Sequence, residues 1–141
     1  MASFVLDCSV TMAWFFDDET TEQTDQLMDR LNAGDRAVVA QHWFLEVANT
    51  LLMGERRKRC TPADASQFVD VLTGLSIDTD PETGTRAMAV TLNLGRTHGL
   101  TLYDAAYLEL AMRMKLPLAT LDSDLRKAAK KVGVDCWPER I

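Results

Sequence analysis

Short apolar segments alternate with amphipathic helical segments along this sequence, and this alternation is what most restricts its fold. Five segments have the length of buried strands: residues 3–7, 37–40, 75–79, 118–121 and 134–136. Repeated strand–helix units imply a parallel sheet with helices on both of its faces. The sequence therefore predicts an α/β fold with three layers, α/β/α, around a central, mainly parallel sheet of four to five strands.

Apolar periodicity, capping residues and glycines mark the helical segments. Helices are predicted over 18–33 and 42–59, from Thr61-Pro62 onward, from Asp80-Pro81 to near Gly99, from Tyr103 to about Met114, and over 123–132. Thr61 is placed as an N-cap with Pro62 in the first helical position, a favoured arrangement. The spacing of Tyr103, Tyr107, Leu110 and Met114 predicts that all four residues face the core.

Length and composition predict one globular domain over residues 1–141, because a chain of this size buries a sufficient core by itself. No uncharged stretch exceeds nine residues, whereas a membrane-spanning helix needs ~20 apolar residues. The N-terminal segment lacks the basic start of a secretory signal. Cys8, Cys60 and Cys136 are odd in number and widely separated, which is typical of a reducing compartment. We therefore expect a cytoplasmic protein without a membrane anchor.

Acidic residues follow the predicted strands or begin the predicted helices. Asp7 and Asp122 end strands, Asp124 comes two residues later, and Glu46 and Asp104 lie in first helical turns. Ligands of open parallel sheets bind beyond the carboxyl ends of the strands. If the fold brings these acids together, their charges raise one another's pKa values, and a divalent cation would remove the repulsion. Ligands that are all oxygen select Mg²⁺ or Mn²⁺.

Each acid also has a simpler explanation to set against this hypothesis. The helix dipole favours an acid in the first turn, so Glu46, Asp104 and Asp124 need no further function when each is taken alone. Asp7 is harder to explain in this way, because it interrupts an apolar run in which an unpaired buried charge is expensive. Asp122, which follows another apolar strand, resembles it.

The net charge of −6 argues against general nucleic-acid binding through a basic surface. It leaves open a site in which carboxylates bind a divalent cation first and phosphates through that cation.

Four stretches, in order, resemble the motifs of PIN domains, most closely those of VapC-type toxins from bacterial toxin–antitoxin pairs. They are FVLDCSV at 4–10, FLEVANTL at 44–51, LYDAAYLELA at 102–111 and LATLDSDLRKAA at 118–129, and they extend over nearly the whole chain. The resemblance implies a compact α/β/α nuclease fold whose acids hold Mg²⁺ or Mn²⁺ and cleave RNA. It also implies a small VapB-type antitoxin as partner, and a homodimer.

Carried over motif by motif, the resemblance implies a role for each site residue. The implied catalytic acids, which also bind the metal, are Asp7, Glu46, Asp104 and Asp122, with Asp124 as an auxiliary metal-binding acid. Ser9 and Thr120 occupy hydroxyl positions that support the metal ligands or contact phosphate. The implied reaction is hydrolysis of an RNA phosphodiester by water that the metal activates.

Other functions stay open at this point. The chain could be a weak or inactive PIN-like module that acts through partner contact. A phosphatase with an aspartyl nucleophile at Asp7 is less favoured, because such enzymes commonly need a second acid two residues later, where Ser9 stands. Metal-free acid–base catalysis would have to use His42 or His98, both of which lie at predicted helix ends.

Two basic clusters and two aromatic groups have two interpretations each. The clusters, Arg56–Arg59 and Arg126 to Lys131, are either solvated helix faces or contacts for an RNA backbone. The aromatic groups, 14–16 and 43–44, are either core or the wall of a groove for bases or for a partner's apolar side chains.

Overall fold

Five parallel strands form the central sheet of the structure, a computed structural model that describes all residues from Met1 to Ile141. The strands are β1 (Ser3–Leu6), β2 (Arg36–Val39), β3 (Ile77–Thr79), β4 (Leu118–Ala119) and β5 (Cys136–Trp137). Their order across the sheet is β3-β2-β1-β4-β5, and every neighbouring pair is parallel. The predicted α/β/α class with a mainly parallel sheet of four to five strands is thereby confirmed.

Eight α-helices and one π-helical turn connect and cover the strands. They are α1 (Cys8–Ala13), α2 (Glu22–Asn32), α3 (Trp43–Arg56), α4 (Pro62–Thr73), α5 (Thr83–Arg86), the π-helical turn Ala87–Thr91, α6 (Leu92–His98), α7 (Leu102–Met114) and α8 (Ser123–Lys131). Thr61 caps α4 and Pro62 begins it, as predicted. None of these helices is long and apolar enough to cross a membrane.

The sheet centre is the most deeply buried part of the molecule. Phe4, Val5 and Leu6 of β1 are fully buried, as are Leu118 and Ala119 of the neighbouring β4. Strand β1 therefore has no polar face, which is expected of a central parallel strand covered on both sides. This burial fixes the register that sets the carboxyl ends of β1 and β4 side by side.

Helix α1 is absent from the sequence-based prediction. Its last four residues are all buried, so the segment lacks the polar face that reveals a surface helix. Asp7 begins the helix, since its side chain accepts a hydrogen bond from the Val10 amide at 3.1 Å. The acid that interrupts the apolar run therefore also ends the strand and starts a helix.

Two further predictions differ from the structure. The single helix expected from Asp80-Pro81 to Gly99 is divided into α5, a π-helical turn and α6. Tyr103 and Met114, expected in the core, are 61% and 45% exposed, whereas Tyr107 and Leu110 are buried as predicted. Tyr103 lies at the exposed start of α7 and Met114 at its end, beyond the part of the helix that the core covers.

A buried ionic cluster joins the end of β3 to α7. Arg113 donates to Asp80 at 2.7 Å and to Glu109 at 2.9 Å, and it also contacts Glu82 at 3.2 Å. Asp80 and Glu109 are almost completely buried. The Arg113 guanidinium holds the pKa of Asp80 below its usual range, although burial opposes this effect. The two carboxylates depend on one cation for their charge balance.

Replacing Arg113 with methionine should destabilise the fold strongly, because it leaves two buried carboxylates unpaired. We expect the free energy of unfolding to fall by about 3–5 kcal/mol in urea denaturation. The matched control is Arg36→Met, which breaks the exposed Arg36–Asp78 pair and should cost less than about 1 kcal/mol. Equal losses in the two variants would contradict the role assigned to Arg113.

Candidate active site

Asp7 occupies the carboxyl end of the central strand and is only 4% exposed. One carboxylate oxygen accepts hydrogen bonds from the Ser9 hydroxyl at 2.7 Å and from the Val10 amide at 3.1 Å. Burial raises the pKa of Asp7 to about 6, against the opposing hydrogen bonds from Thr120, Ser9 and Val10. The nearby charge of Asp104 raises it further.

Asp122 lies beside Asp7 because β4 is the neighbour of β1. The Asp7 amide donates to the carbonyl of Ala119 at 3.2 Å, and the Ser9 hydroxyl accepts from the Leu121 amide at 2.9 Å. Asp122 caps α8 by accepting from the Leu125 amide at 2.9 Å. Ser9 therefore links the two loops that carry these acids.

Thr120 comes between β4 and Asp122 and is fully buried. Its hydroxyl accepts a hydrogen bond from the Asp122 amide at 3.1 Å, and its hydrogen bond to Asp7 lowers the pKa of that acid. Both predicted hydroxyl residues, Ser9 and Thr120, thus contact the acid-bearing loops.

Asp104 lies in the first turn of α7, where its amide donates to the capping Thr101 hydroxyl at 3.2 Å. Its pKa is raised, first by burial and then by the charges of Asp122 and Glu46. Asp104 is therefore the acid that interacts with the three others, since its charge also raises the pKa of Asp7. The structure brings the four acids of the sequence prediction into one electrostatically coupled group.

Glu46 is held from two sides in the first turn of α3. One carboxylate oxygen accepts from the Tyr107 hydroxyl at 2.5 Å and lies 3.5 Å from His42 Nε2. His42 Nε2 is also 3.1 Å from the Tyr103 carbonyl, so the histidine connects the starts of α3 and α7. Burial and the Glu46 charge both raise the pKa of Tyr107. The Tyr107 hydroxyl therefore stays protonated and donates its hydrogen to Glu46.

Sequence reasoning missed the contact of Tyr107 with the site. The helical spacing predicts its burial correctly but gives no partner for its hydroxyl. A buried tyrosine hydroxyl nearly always requires a hydrogen-bond partner, so its place one turn after Asp104 was the available signal.

Asp124 lies apart from the coupled acids. It is exposed in the first turn of α8, makes no hydrogen bond or ion pair, and does not contribute to the pKa shifts of Asp7 and Asp104. The dipole of α8 is enough to account for an acid at this position.

The donor set fits a divalent cation such as Mg²⁺ or Mn²⁺. It consists of carboxylate oxygens with neighbouring hydroxyls, and no lysine or arginine pairs with any of the four acids. No three of the side chains are close enough together to hold an ion by themselves. Mg²⁺ commonly binds through one or two carboxylates and keeps several waters, so a closed protein cage is not required.

Replacing Asp7 with asparagine should stabilise the protein in the absence of metal. The folded-state pKa of about 6 lies above the unfolded value of 3.8, so ionised Asp7 costs the fold up to about 3 kcal/mol at pH 8. This cost disappears as pH falls from about 6 to below 4, where the acid is protonated in both states. In EDTA at pH 8, the free energy of unfolding should therefore be larger for Asp7→Asn than for wild type. Near pH 4 the two free energies should become equal.

The control for this measurement is Asp25→Asn, which removes an exposed acid from the first turn of α2. It should not reproduce the pH-dependent difference. An Asp7→Asn protein that is less stable than wild type at pH 8 would contradict the burial cost.

Comparison with known proteins gives the class to which this site belongs. The model of the PIN domain family matches residues 4–131, so the chain belongs to the PIN domain family. Within that family it is of the VapC type, which confirms the resemblance found in its motifs. It is 30% identical over 125 residues to Ribonuclease VapC3 of Pyrobaculum aerophilum, a match that covers 86% of this chain and 90% of that protein.

Solved structures agree with the fold. The crystal structure of PAE2754 from Pyrobaculum aerophilum matches with a TM-score of 0.68 and 24% identity, over 96% of this chain and 92% of that chain. The crystal structure of VapBC2 from Rickettsia felis, bound to a DNA fragment from its promoter, matches with a TM-score of 0.65 and 12% identity, over 96% of this chain and 97% of that chain. The crystal structure of FitAcB from Neisseria gonorrhoeae matches with a TM-score of 0.56 and 17% identity, over 99% of this chain and 98% of that chain.

Proposed function

We propose that the protein is a divalent-metal-dependent endoribonuclease and the toxin component of a type II toxin–antitoxin pair. The observation that carries the proposal is the group formed by Asp7, Glu46, Asp104 and Asp122, in which no lysine or arginine pairs with an acid and Asp104 interacts with the three others. The similarity to Ribonuclease VapC3 supports RNA as the substrate class.

In this proposal Asp7 and Asp104 contact the metal directly, and Glu46 and Asp122 complete the site partly through water. Bound Mg²⁺ or Mn²⁺ supplies an activated water and neutralises charge on the phosphate. Ser9 and Thr120 orient Asp7, and Tyr107 fixes the Glu46 carboxylate. These contacts hold the oxygens in place before substrate arrives.

Asp124 has a lesser role in the same proposal. Its exposed position at the start of α8 suits an auxiliary acid that reaches an ion or the substrate through water. The runner-up function is a PIN-like binding module without catalysis, which would keep the fold and the partner but cleave no RNA.

An apolar groove on α3 and α4 offers a surface for a partner of the VapB antitoxin type. A groove of about 730 Å³ lies between α3 and α4, and its wall includes Trp43, Phe44, Val47, Leu52, Ala65 and Val69. Phe44, Leu52 and Val69 are exposed, whereas Trp43 belongs to the core. Helix α3 also carries Glu46, which is not part of the groove wall, so an antitoxin segment seated here would contact the same helix as the acid group without covering the acids. We propose this groove as its docking surface.

A second exposed apolar area supports the proposed homodimer. Met88 and Val90 of the π-helical turn and Leu92 at the start of α6 are exposed, as is Tyr103 next to Asp104. Contiguous exposed apolar side chains commonly mark an interface. The proposed place of action is the cytoplasm, where RNA substrates are present.

The Asp104→Asn variant tests the catalytic proposal. Purified wild-type protein with Mn²⁺ or Mg²⁺ should cut RNA, and the variant should lose more than the ~10–100-fold that is typical of residues behind the metal ligands. The loss follows because asparagine removes a charged metal ligand while keeping the side-chain shape. The measurement is the rate of RNA cleavage with mapping of the fragment ends.

The control is again Asp25→Asn, which should cut at the wild-type rate. An Asp104→Asn protein that cuts as fast as wild type would refute the assignment of Asp104. A wild-type protein that cuts no RNA with either metal would favour the binding module.

A further inference from the structure

Most basic side chains of this acidic protein are free of carboxylate partners. Five of the fifteen form ion pairs: Arg30, Arg36, Arg59, Arg86 and Arg113. Among the remaining ten, two groups of close neighbours stand out. One is Arg56, Arg57 and Lys58 at the end of α3, and the other is Arg126, Lys127, Lys130 and Lys131 on α8.

Helix α8 differs from the end of α3 in its position relative to the acids. Asp122 is the N-cap of α8, so Lys127 follows it by five residues, about 7.5 Å along the helix axis. Lys130 and Lys131 lie one turn further along the same helix. The α3 group begins ten residues after Glu46, about 15 Å along that helix. Of the two groups, α8 therefore has the free cation that follows an acid of the site most closely along its helix, Lys127.

The lysines of α8 lie opposite its buried face. Leu125, Ala128 and Ala129 pack into the core, whereas Lys127, Lys130 and Lys131 are exposed. The strong amphipathicity of α8 therefore gives it a lysine face, defined here as Lys127, Lys130 and Lys131. The helix dipole explains lysines in the last turn, but Lys127 lies in the middle of the helix.

Arg126 has a different task, because its guanidinium is already engaged. It donates to the carbonyls of Thr120 at 2.8 Å, of Pro138 at 2.6 Å and of Glu139 at 3.2 Å. These bonds tie the C-terminal segment to the loop before Asp122. The lysine face thus supplies the exposed charges, whereas Arg126 stabilises the C-terminal segment next to α8.

A groove of about 570 Å³ runs along α8 and is bounded by β5 and the C-terminal segment. Its wall includes Arg126, Lys127, Lys130, Asp135, Trp137 and Glu139, so bases outnumber acids in it. Exposed large apolar side chains are absent from α8, whereas protein interfaces usually rely on such anchors. A row of lysines contacts a phosphate backbone without reading its bases.

We propose that the lysine face of α8 holds the phosphodiester backbone of single-stranded RNA beside the bond to be cut. The inference rests on the proposed ribonuclease function and adds the path that the substrate takes. It also explains how a chain with a net charge of −6 holds a polyanion next to four carboxylates: the attraction is local, on the helix that Asp122 begins.

The test measures RNA binding separately from cleavage. The Asp104→Asn protein is titrated with a fluorescently labelled, unstructured single-stranded RNA at several salt concentrations, with and without K127Q, K130Q and K131Q together. Each phosphate contact contributes about 0.7 to the slope of log K against log salt, so loss of three lysines should lower the slope by about 2. The affinity at low salt should fall at least tenfold.

The control carries R56Q, R57Q and K58Q in the same background, which removes the same charge from the end of α3. It should keep the salt slope and most of the affinity. Thermal unfolding checks that both variants fold, as expected for changes at exposed positions.

The proposal is overturned if the two triple variants lose equal affinity, because net charge alone would then explain the loss. It is also overturned if the α8 variant binds RNA like its parent. Failure of the proposed function has a different result, namely RNA binding that depends on α8 in a wild-type protein that cuts no RNA with Mn²⁺ or Mg²⁺.

Discussion

The repulsion among carboxylates at the end of the central strand is the interaction on which the site depends. Asp7 is buried there because β1 is covered on both faces, and burial raises its pKa to about 6. Burial also raises the pKa of Asp104, and the charges of Asp122 and Glu46 raise it further. Since like charges in a poorly solvated place destabilise a fold, their accumulation is explained best by a cation that removes the repulsion.

Neighbouring groups hold the acids in position without neutralising them. Ser9 joins the loops after β1 and β4, and Thr120 bonds to Asp122 within the second of these loops. Tyr107 and His42 hold Glu46 between α3 and α7. None of these contacts comes from a lysine or an arginine. By contrast, the buried carboxylates at Asp80 and Glu109 have Arg113 as a cation of their own. The buried acids of the ionic cluster are thus paired with an arginine, whereas the acids of the candidate site have no arginine or lysine partner.

Much of this arrangement could be predicted from the sequence, because two periodic signals carry it. Strand–helix alternation predicts the parallel sheet, and the rule for carboxyl ends of strands predicts that Asp7 and Asp122 meet. Helix α1 could not be predicted in the same way, since its last four residues are all buried and leave it without a polar face. The hydroxyl of Tyr107 and the pairing of Arg113 with Asp80 were missed because Glu46 and Asp80 are distant from them in sequence. Their contacts arise only when α7 packs against the sheet.

The claim that these acids form one cation site is tested most directly by counting the protons released when Mn²⁺ binds. Calorimetric titrations at pH 6, in buffers of different ionisation enthalpy, measure that number. If the ion binds at Asp7, whose pKa is about 6, the wild-type protein should release about half a proton from this group at pH 6 and almost none at pH 8. The Asp7→Asn protein should lose this pH-dependent release. Saturable Mn²⁺ binding with the same proton release in both proteins, or no binding by wild type, would contradict the account.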